Sequence, residues 1–269
     1  MKREERLRDK VVWITGASSG IGEALAVRLN ALGVRLILSS NEPAQLKRVR
    51  ARLSNKDTPV MLLALDLGRV SSLAAKAERA LARFGHVDVL INNGGISQRA
   101  LAVDTALSVD IKIVNTDFLG HVALTKAVLP SMLARKSGHI VVTSSIMGKI
   151  YTPLRSTYTA AKHALHGFFD SLRSEVYRDN IDVTIVCPTG VKTGISKGAL
   201  TGSGARYGKT DPIIEEGLDP DECAERIIGA ILKRKHEVII GKGFIKFSAH
   251  IRRFFPRLYF RLIKRATVI

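Results

Sequence analysis

Cysteine is nearly absent. Cys187 and Cys223 are the only two in 269 residues, which excludes a disulfide scaffold and a four-cysteine zinc site and agrees with a reducing, cytoplasmic setting. Acid is scarce as well, with 24 Asp and Glu against 42 Lys and Arg, for a formal charge of +18. Tryptophan occurs once, and 8 prolines with 22 glycines are too few for a collagen-like or low-complexity chain. No apolar run approaches the roughly 18 residues that a membrane span needs. The basic start Met1–Lys10 leads only into Val11–Ile14 before Thr15-Gly16, too short for a signal-peptide core.

What remains is an ordinary globular composition, 46% apolar and 25% charged, at a length suited to one α/β domain. The charge is not spread evenly. Eleven basic residues and one acid, Glu237, lie between Ile231 and Ile269, so more than half of the net charge sits at one end.

Short β-rich apolar runs alternate with helical stretches. Val11–Thr15, Val34–Ser39, Val60–Leu65, Val87–Ile91, His139–Thr143, Asp182–Val186 and Val238–Ile240 read as strands. They are apolar on both faces, as in a parallel sheet covered on both sides. Between them Gly20–Leu32, Pro43–Leu53, Val70–Phe84, a long stretch within Thr105–Arg135, Ser156–Tyr177 and Pro220–Lys235 read as helices; Asp219 and Pro220 form a start signal for the last. The alternation predicts one Rossmann-type doubly wound parallel sheet of about seven strands with helices on both faces. Six glycines within Gly190–Gly208 predict a mobile lid loop. The expected organisation is a domain over 1–243 and a basic amphipathic tail over 244–269.

The first strand runs directly into Thr15-Gly16-Ala17-Ser18-Ser19-Gly20-Ile21-Gly22. Glycines here let the backbone turn, approach a diphosphate and pack the next helix closely, with the diphosphate facing the helix amino end. Position between a strand and a helix gives the pattern its meaning. Tyr158 and Lys162 are four apart on a helix and share a face. A phenol titrates near 10; a cation about 4 Å away at an effective dielectric near 20 is worth on the order of 4 kcal/mol, or about three pKa units, enough for acid–base work near neutrality.

Together with Asn92-Asn93-Gly94-Gly95 and Tyr158-Thr159-Ala160-Ala161-Lys162, the glycine turn resembles the short-chain dehydrogenase/reductase superfamily, over roughly Lys10 to Gly241. Pro130-Ser131-Met132, Ser137-Gly138-His139-Ile140-Val141, Ala161-Lys162-His163-Ala164-Leu165 and Ala205-Arg206-Tyr207-Gly208 are similar to dehydrogenase/reductase SDR family members 7 and 7B, relatives of the 11β-hydroxysteroid dehydrogenase group. The resemblance implies hydride transfer between a nicotinamide and a carbonyl or secondary alcohol. It makes Tyr158 the proton donor and acceptor, has Lys162 tune Tyr158 and bind the nicotinamide ribose, and has Ser145, thirteen residues before Tyr158, hold the reacting oxygen. Its relay asparagine aligns with Asp117 here. Asn115 lies two residues earlier, about 200° around a regular helix, so Asp117 accepting from a relay water, or Asn115 on an irregular helix, are both open.

For the cofactor, the resemblance implies contacts from Gly16, Ser18, Ser19, Gly20, Ile21 and Gly22 on the diphosphate side, Asp66 and Leu67 at the adenine, Asn92 and Gly94 beneath, and Val191 and Thr193 at the nicotinamide amide. Asp66 as a simple helix cap is the plainer alternative, and Gly190 is displaced by one position from the family's Pro-Gly-x-Val-x-Thr. Ser40 stands where NAD-type relatives carry an acid that binds the ribose hydroxyls and repels the extra phosphate, and Asn41 where many NADP-dependent relatives put arginine. The expectation is NADP(H), with NAD(H) the alternative. No metal site is read from the seven histidines; His163 and His166 read as packing or surface residues, and Cys187 as a small buried apolar one.

Ile146, Met147, Ile150 and Tyr151 after Ser145, with Ile195, Leu200 and Tyr207 in the lid, suggest an apolar pocket, although core packing gives the same pattern. Steroid-, retinoid- or lipid-like substrates and a homodimer or homotetramer follow from the resemblance alone. In the tail, Phe244, Phe247, Ile251, Phe254, Phe255, Leu258, Tyr259, Leu262 and Ile263 recur at three- and four-residue spacing among bases, interrupted at Pro256. Two readings stand: packing on the domain or a partner subunit, or a helix pair on an anionic membrane surface beside the substrate entrance. Large regular apolar residues fit lipid better than nucleic acid. The rival for the whole chain is a non-catalytic Rossmann-fold binding protein using the basic tail on acidic partners.

Overall fold

A computed structural model describes residues 3–265; Met1, Lys2 and the tail residues 266–269 lie outside the described residues, as do the side chains of Arg3, Glu4, Phe244 and Arg265. Seven strands, β1 (Val11–Thr15), β2 (Arg35–Ser40), β3 (Val60–Ala64), β4 (Val89–Asn92), β5 (Gly138–Thr143), β6 (Ile181–Pro188) and β7 (Glu237–Ile240), form one sheet in the order β3-β2-β1-β4-β5-β6-β7. Every pairing is parallel.

Strand alternation builds two cores from one sheet. In β1, Val12 and Ile14 point to one face, and Val11 and Trp13 to the other. On the first face they meet Leu25 and Leu29 of α1 (Gly20–Ala31), Leu46 and Val49 of α2 (Pro43–Arg52), and Ile227 of α8 (Pro220–Leu232). On the second they meet Ala77 of α3 (Leu73–Phe84), Leu124 and Val128 of α5 (Gly120–Arg135), and Leu165 and Phe169 of α6 (Ser156–Val176). The single tryptophan is buried with its Nε1 donating to Ser39 Oγ at 2.8 Å, so burying its polar atom leaves nothing unpaired.

The long helical stretch is not one regular helix. It divides into α4 (Leu107–Val114), a π-helical turn at Asn115–Leu119, and α5. Gly120 sits against Leu67, whose backbone oxygen would lie 2.5 Å from an added Cβ, so the wider turn delivers the helix into close contact with the edge of the sheet. The 190–208 stretch, read as a mobile loop, is bound at several points: Leu200 bridges Gln98 on one side and Arg206 on the other. A short helix, α7 (Pro212–Glu215), follows it; a single turn leaves no apolar period in the sequence.

After β7 come a short 3-10 turn (Phe244–Phe247), α9 (Ser248–Phe254) and α10 (Pro256–Arg265). Ala249, Ile251, Tyr259 and Ile263 pack against Ile146, Ile150 and Tyr151. Tyr259 donates its hydroxyl to Tyr151 O at 2.8 Å, and Arg252 donates to Lys149 O at 3.0 Å. Among the described residues no helix is long and apolar enough to cross a membrane.

Candidate active site

At the carboxyl end of β1, Gly16 adopts φ +63° and Gly20 φ +55°, backbone that side-chain-bearing residues rarely hold. A Cβ on Gly16 would lie 2.6 Å from Gly94 Cα, and one on Gly20 would lie 2.8 Å from Thr193 Cγ2. Ser19 caps α1 without a side-chain hydrogen bond, so the first-turn N–H groups have no acceptor from the chain's own cap. This is a cradle shaped for a diphosphate: space where a Cβ would be, and amide hydrogens at the positive end of a helix.

The cradle opens into a cleft of about 550 Å³ lined by Gly16, Ser18, Ser19, Gly20 and Ile21, by Ser40 and Asn41, by Asp66 and Leu67, by Gly94, Val191 and Thr193, and by Ser145, Tyr158 and Lys162. Two residues expected to touch the cofactor do not line it. Gly22 lies beneath, where an added Cβ would meet Gly16 O at 2.1 Å; its part is to let α1 approach β1. Asn92, the last residue of β4, turns its amide away to donate to Thr125 Oγ1 of α5 at 2.9 Å, and Asn93 lines the cleft instead. The displaced Gly190 leaves Val191 in place, since Leu218 N donates to Gly190 O at 2.9 Å and Lys192 N to Leu218 O at 2.9 Å. Asp66 accepts from Gly68 N at 2.9 Å and lines the cleft; it caps no helix, since the next helical turn begins after Arg69.

Ser145 Oγ accepts from Met147 N at 3.1 Å, which fixes the hydroxyl and leaves its hydrogen to point elsewhere. Ser144 Oγ turns the other way, donating to Lys162 O at 3.1 Å. Lys162 is fully enclosed. Its Nζ donates to Thr143 O at 3.2 Å, lies 3.2 Å from Asp117 Oδ2 and sits 5.6 Å from the centre of the Tyr158 ring. The ammonium is thus not the isolated charge of the sequence argument but half of a buried ion pair. Asp117, from the π turn, is 0% exposed and holds Ile96 N at 2.8 Å with its other oxygen. Burial pushes the Asp117 carboxyl up, against the pull of Lys162; Asp117 and Tyr158 hold Lys162 charged, above its ordinary value, in spite of burial. Of the two open candidates, Asp117 reaches Lys162, and the helix is irregular there as the Asn115 alternative required.

The apolar residues expected to line a substrate pocket are mostly elsewhere. Ile146, Met147, Ile150 and Tyr151 pack beneath the carboxy-terminal helices, and Leu200 packs against Val109, Ile113 and Ala161; of that set Ile195 lines the cleft. The reason is the tail itself, which supplies the apolar partner these residues need. Other residues at the site carried no motif to announce them. Arg48 Nη2 donates to Ser18 O at 3.0 Å while pairing with Glu23 at 2.7 Å, and Glu42 accepts from Ser18 Oγ at 3.4 Å. Asp211, just before α7, is clasped by Arg99 at 2.8 Å and by Arg155, and Ser196 Oγ donates to it at 3.3 Å.

His166, Cys187 and Glu237 form the one group of potential metal ligands among the described residues. Glu237 is already held by Lys149 at 2.7 Å, Lys162 lies close to the sulfur, and burial pushes the Cys187 thiol up; these cations oppose a divalent ion. His166 Nε2 lies 3.7 Å from Cys187 Sγ, a packing contact in the interior behind Lys162.

A doubly wound parallel sheet with a glycine-cradled anion site at the strand-order reversal, between β1 and β4, defines the dinucleotide-binding Rossmann class. Within that class the chain belongs to the short chain dehydrogenase family, whose model matches residues 10–202. It is 44% identical, over 99% of its length and 83% of the relative's, to a dehydrogenase/reductase SDR family protein 7-like of Drosophila melanogaster. A short-chain dehydrogenase from Streptomyces avermitilis superposes with a TM-score of 0.82 at 29% identity, covering 96% of this chain and 98% of the other. An alcohol dehydrogenase from Thermococcus sibiricus, complexed with 5-hydroxy-NADP, has a TM-score of 0.74 at 26% identity over 87% and 97% of the two chains. The protein is therefore an oxidoreductase of this family, built for a nicotinamide cofactor.

Proposed function

We propose that the protein interconverts a carbonyl and a secondary alcohol of a largely apolar small molecule, using NADP(H). The observation that carries this reading is that Ser145, Tyr158 and Lys162 all line the cleft into which the glycine cradle opens. When bound along Gly16–Ile21, Asp66, Leu67, Val191 and Thr193, the cofactor supplies the two-electron exchange with the substrate carbon. The chain's own groups manage the oxygen. Ser145, its lone pair taken by Met147 N, directs its hydrogen to the substrate oxygen. Tyr158 delivers or removes the proton at that oxygen from its phenol. Lys162 offers its remaining N–H toward the cleft and the cofactor ribose. Asp117 keeps Lys162 charged and gives the proton path a buried acceptor.

NADP(H) is favoured by the absence of an acid at Ser40, the position from which an NAD-type carboxylate would repel the extra phosphate. Ile96, Ile195 and Ile214 on the cleft wall support an apolar substrate of steroid-, retinoid- or lipid-like character. The test is oxidation of NADPH and NADH with a panel of ketones. Wild-type protein should turn over at least one ketone with NADPH, and Tyr158→Phe should lower kcat about 10³-fold while cofactor affinity changes little. Wild-type turnover in Tyr158→Phe refutes the mechanism; an NADH preference above about tenfold, or about 1.4 kcal/mol, refutes the cofactor choice.

A second reading concerns the tail, 244–269, taken as an amphipathic extension of the 1–243 domain. Phe254, Phe255, Leu258 and Leu262 are exposed on α9 and α10, between Arg253, Arg257, Arg261 and Lys264, with no acid among them. That combination supports peripheral attachment to anionic membrane from the cytoplasmic side. Co-sedimentation of the full chain with anionic but not neutral vesicles is expected, and its loss in a chain ending at Gly243; no binding at low salt ends the reading. Exposed Val103, Leu107 and Ile111 support a homodimer or homotetramer, which light scattering at micromolar concentration checks.

A further inference from the structure

Tyr158 stands in the first turn of α6, where backbone N–H groups have no intrahelical acceptor. The cap residue, Arg155, offers no side-chain acceptor. The acceptor comes from far away in sequence. Gln98, on the loop after β4 and 0% exposed, takes Thr157 N at 3.0 Å and Tyr158 N at 3.4 Å on its Oε1.

The other end of the same amide fixes which way it faces. Thr105 Oγ1 donates to Leu101 O at 2.8 Å, so it presents a lone pair, which Gln98 Nε2 fills at 2.9 Å. A flipped amide would set N–H against N–H at α6 and oxygen against oxygen at Thr105. The backbone on either side is pinned as well: Leu200 N donates to Ser97 O at 2.8 Å, Arg99 N to Leu200 O at 2.8 Å, and Arg155 Nη1 to Ser97 Oγ at 3.0 Å. Ser97 and Arg99 thereby tie the 196–211 segment and the start of α6 to one point, with Gln98 in the middle.

We propose that Gln98 is a positioning residue for Tyr158, clamping the first turn of α6 from outside the helix so that the phenol is held against the reacting oxygen. The proposal rests on the reading of Tyr158 as proton donor. Its physical basis is that reaction rates fall about a hundredfold for a displacement of about 1 Å at a catalytic group. A single buried amide with one permitted orientation sets the height and rotation of that turn more tightly than solvent capping could.

Three variants test it, each read by steady-state kinetics, by cofactor affinity from NADPH fluorescence, and by hydrogen exchange at the Thr157 and Tyr158 amides. Gln98→Met, similar in size but without the acceptor, should speed exchange at those two amides about tenfold or more. It should lower kcat about 10- to 100-fold and leave cofactor affinity within about twofold. Gln98→Glu restores an acceptor, with Thr105 turning its hydroxyl to the second oxygen, and should return kcat to within about fivefold of wild type. Thr105→Ala leaves the acceptor in place and should keep kcat within about threefold. Unchanged exchange in Gln98→Met overturns the clamp, as does unchanged kcat. Equal losses in all three variants also overturn it, because they would show general packing. If Gln98→Met does not fold, Gln98→Leu, which also removes the acceptor from the two amides, is read in its place, and unchanged exchange or unchanged kcat overturns the clamp in the same way. A wild-type protein with no turnover would sink the function and not the clamp, since exchange is read without substrate.

Discussion

The glycine turn at Gly16–Gly22 and the helix pair at Ser248–Arg265 meet the same domain by different physics. At the turn the tightest approaches are to backbone atoms: an added Cβ would stand 2.1 Å from Gly16 O on Gly22 and 2.6 Å from Gly94 Cα on Gly16. In the tail the contacts are between side chains on a stripe wider than the surface beneath it. Ile251, Tyr259 and Ile263 are covered, while Phe254 at 69% and Leu262 at 49% exposure are not. Backbone sterics admit one residue type; an apolar stripe admits several and leaves the choice of partner to whatever surface is nearest.

The sharpest way to test that contrast is Gly22→Ala. With no flexible side chain to give way, it should destabilise the domain by about 3 kcal/mol or more and abolish NADPH binding, as urea unfolding and fluorescence titration would report. A variant with wild-type stability would show the turn to be as forgiving as the tail.

A second expectation concerns the buried sheet rather than its edge. His139 on β5 lies against Thr184 Oγ1 at 2.8 Å, and that hydroxyl is committed to Lys235 O, so the imidazole Nε2 is the donor. Burial, with the Arg234 charge, holds His139 down at about 4 from an ordinary 6.5. A depressed value means the contribution is fully present above pH 6.5 and is lost as pH falls toward 4, a span worth on the order of 3 kcal/mol. His139→Gln keeps a donor and cannot titrate, so its stability should fall less steeply across that window. A slope equal to wild type would remove His139 from the account; His121, held at about 3 by burial and by Lys162, would keep a slope of the same sign.

A smaller effect is expected at the ion pair. Asp117→Asn leaves an amide beside Lys162 and removes the compensating negative charge. The unopposed ammonium then favours an anion at the catalytic oxygen, so the acid limb of the kcat/KM profile should move to lower pH, by about one pH unit. A limb that stays in place would show that Asp117 acts on the fold alone.

The tail should give the smallest stability changes. Tyr259→Phe removes the bond to Tyr151 O and should cost about 1 kcal/mol. Leu262→Ser should change stability by less than about 0.5 kcal/mol while weakening adhesion to anionic vesicles. A large folding defect in Leu262→Ser would mean that the exposed stripe has a partner after all, and would close the gap between the two regions.

Most of the architecture was legible in the chain, because strands buried on both faces and helices with cap signals leave period and composition behind. Asp219 and Pro220 opening α8 are an example: Asp219 Oδ1 accepts from Asp221 N at 2.8 Å. The glycine cradle and the Tyr158–Lys162 pair were equally readable, since each depends on a spacing within one turn or one helix. Gln98, Asp211 and Arg48 were not. Each has a partner 25 or more positions away, and the only trace available was indirect: α6 begins without a capping side chain of its own.

The sequence by itself determined the sheet, the cradle and the candidate reactive side chains, because those follow from local geometry and short spacings. The tertiary structure alone decided that Asp117 meets Lys162, that Asn93 rather than Asn92 faces the cleft, and that the residues after Ser145 serve the tail. In each case several orientations satisfied the local pattern. Only the arrival of a distant surface, with its own charges and its own unfilled hydrogen bonds, made one of them lowest in energy.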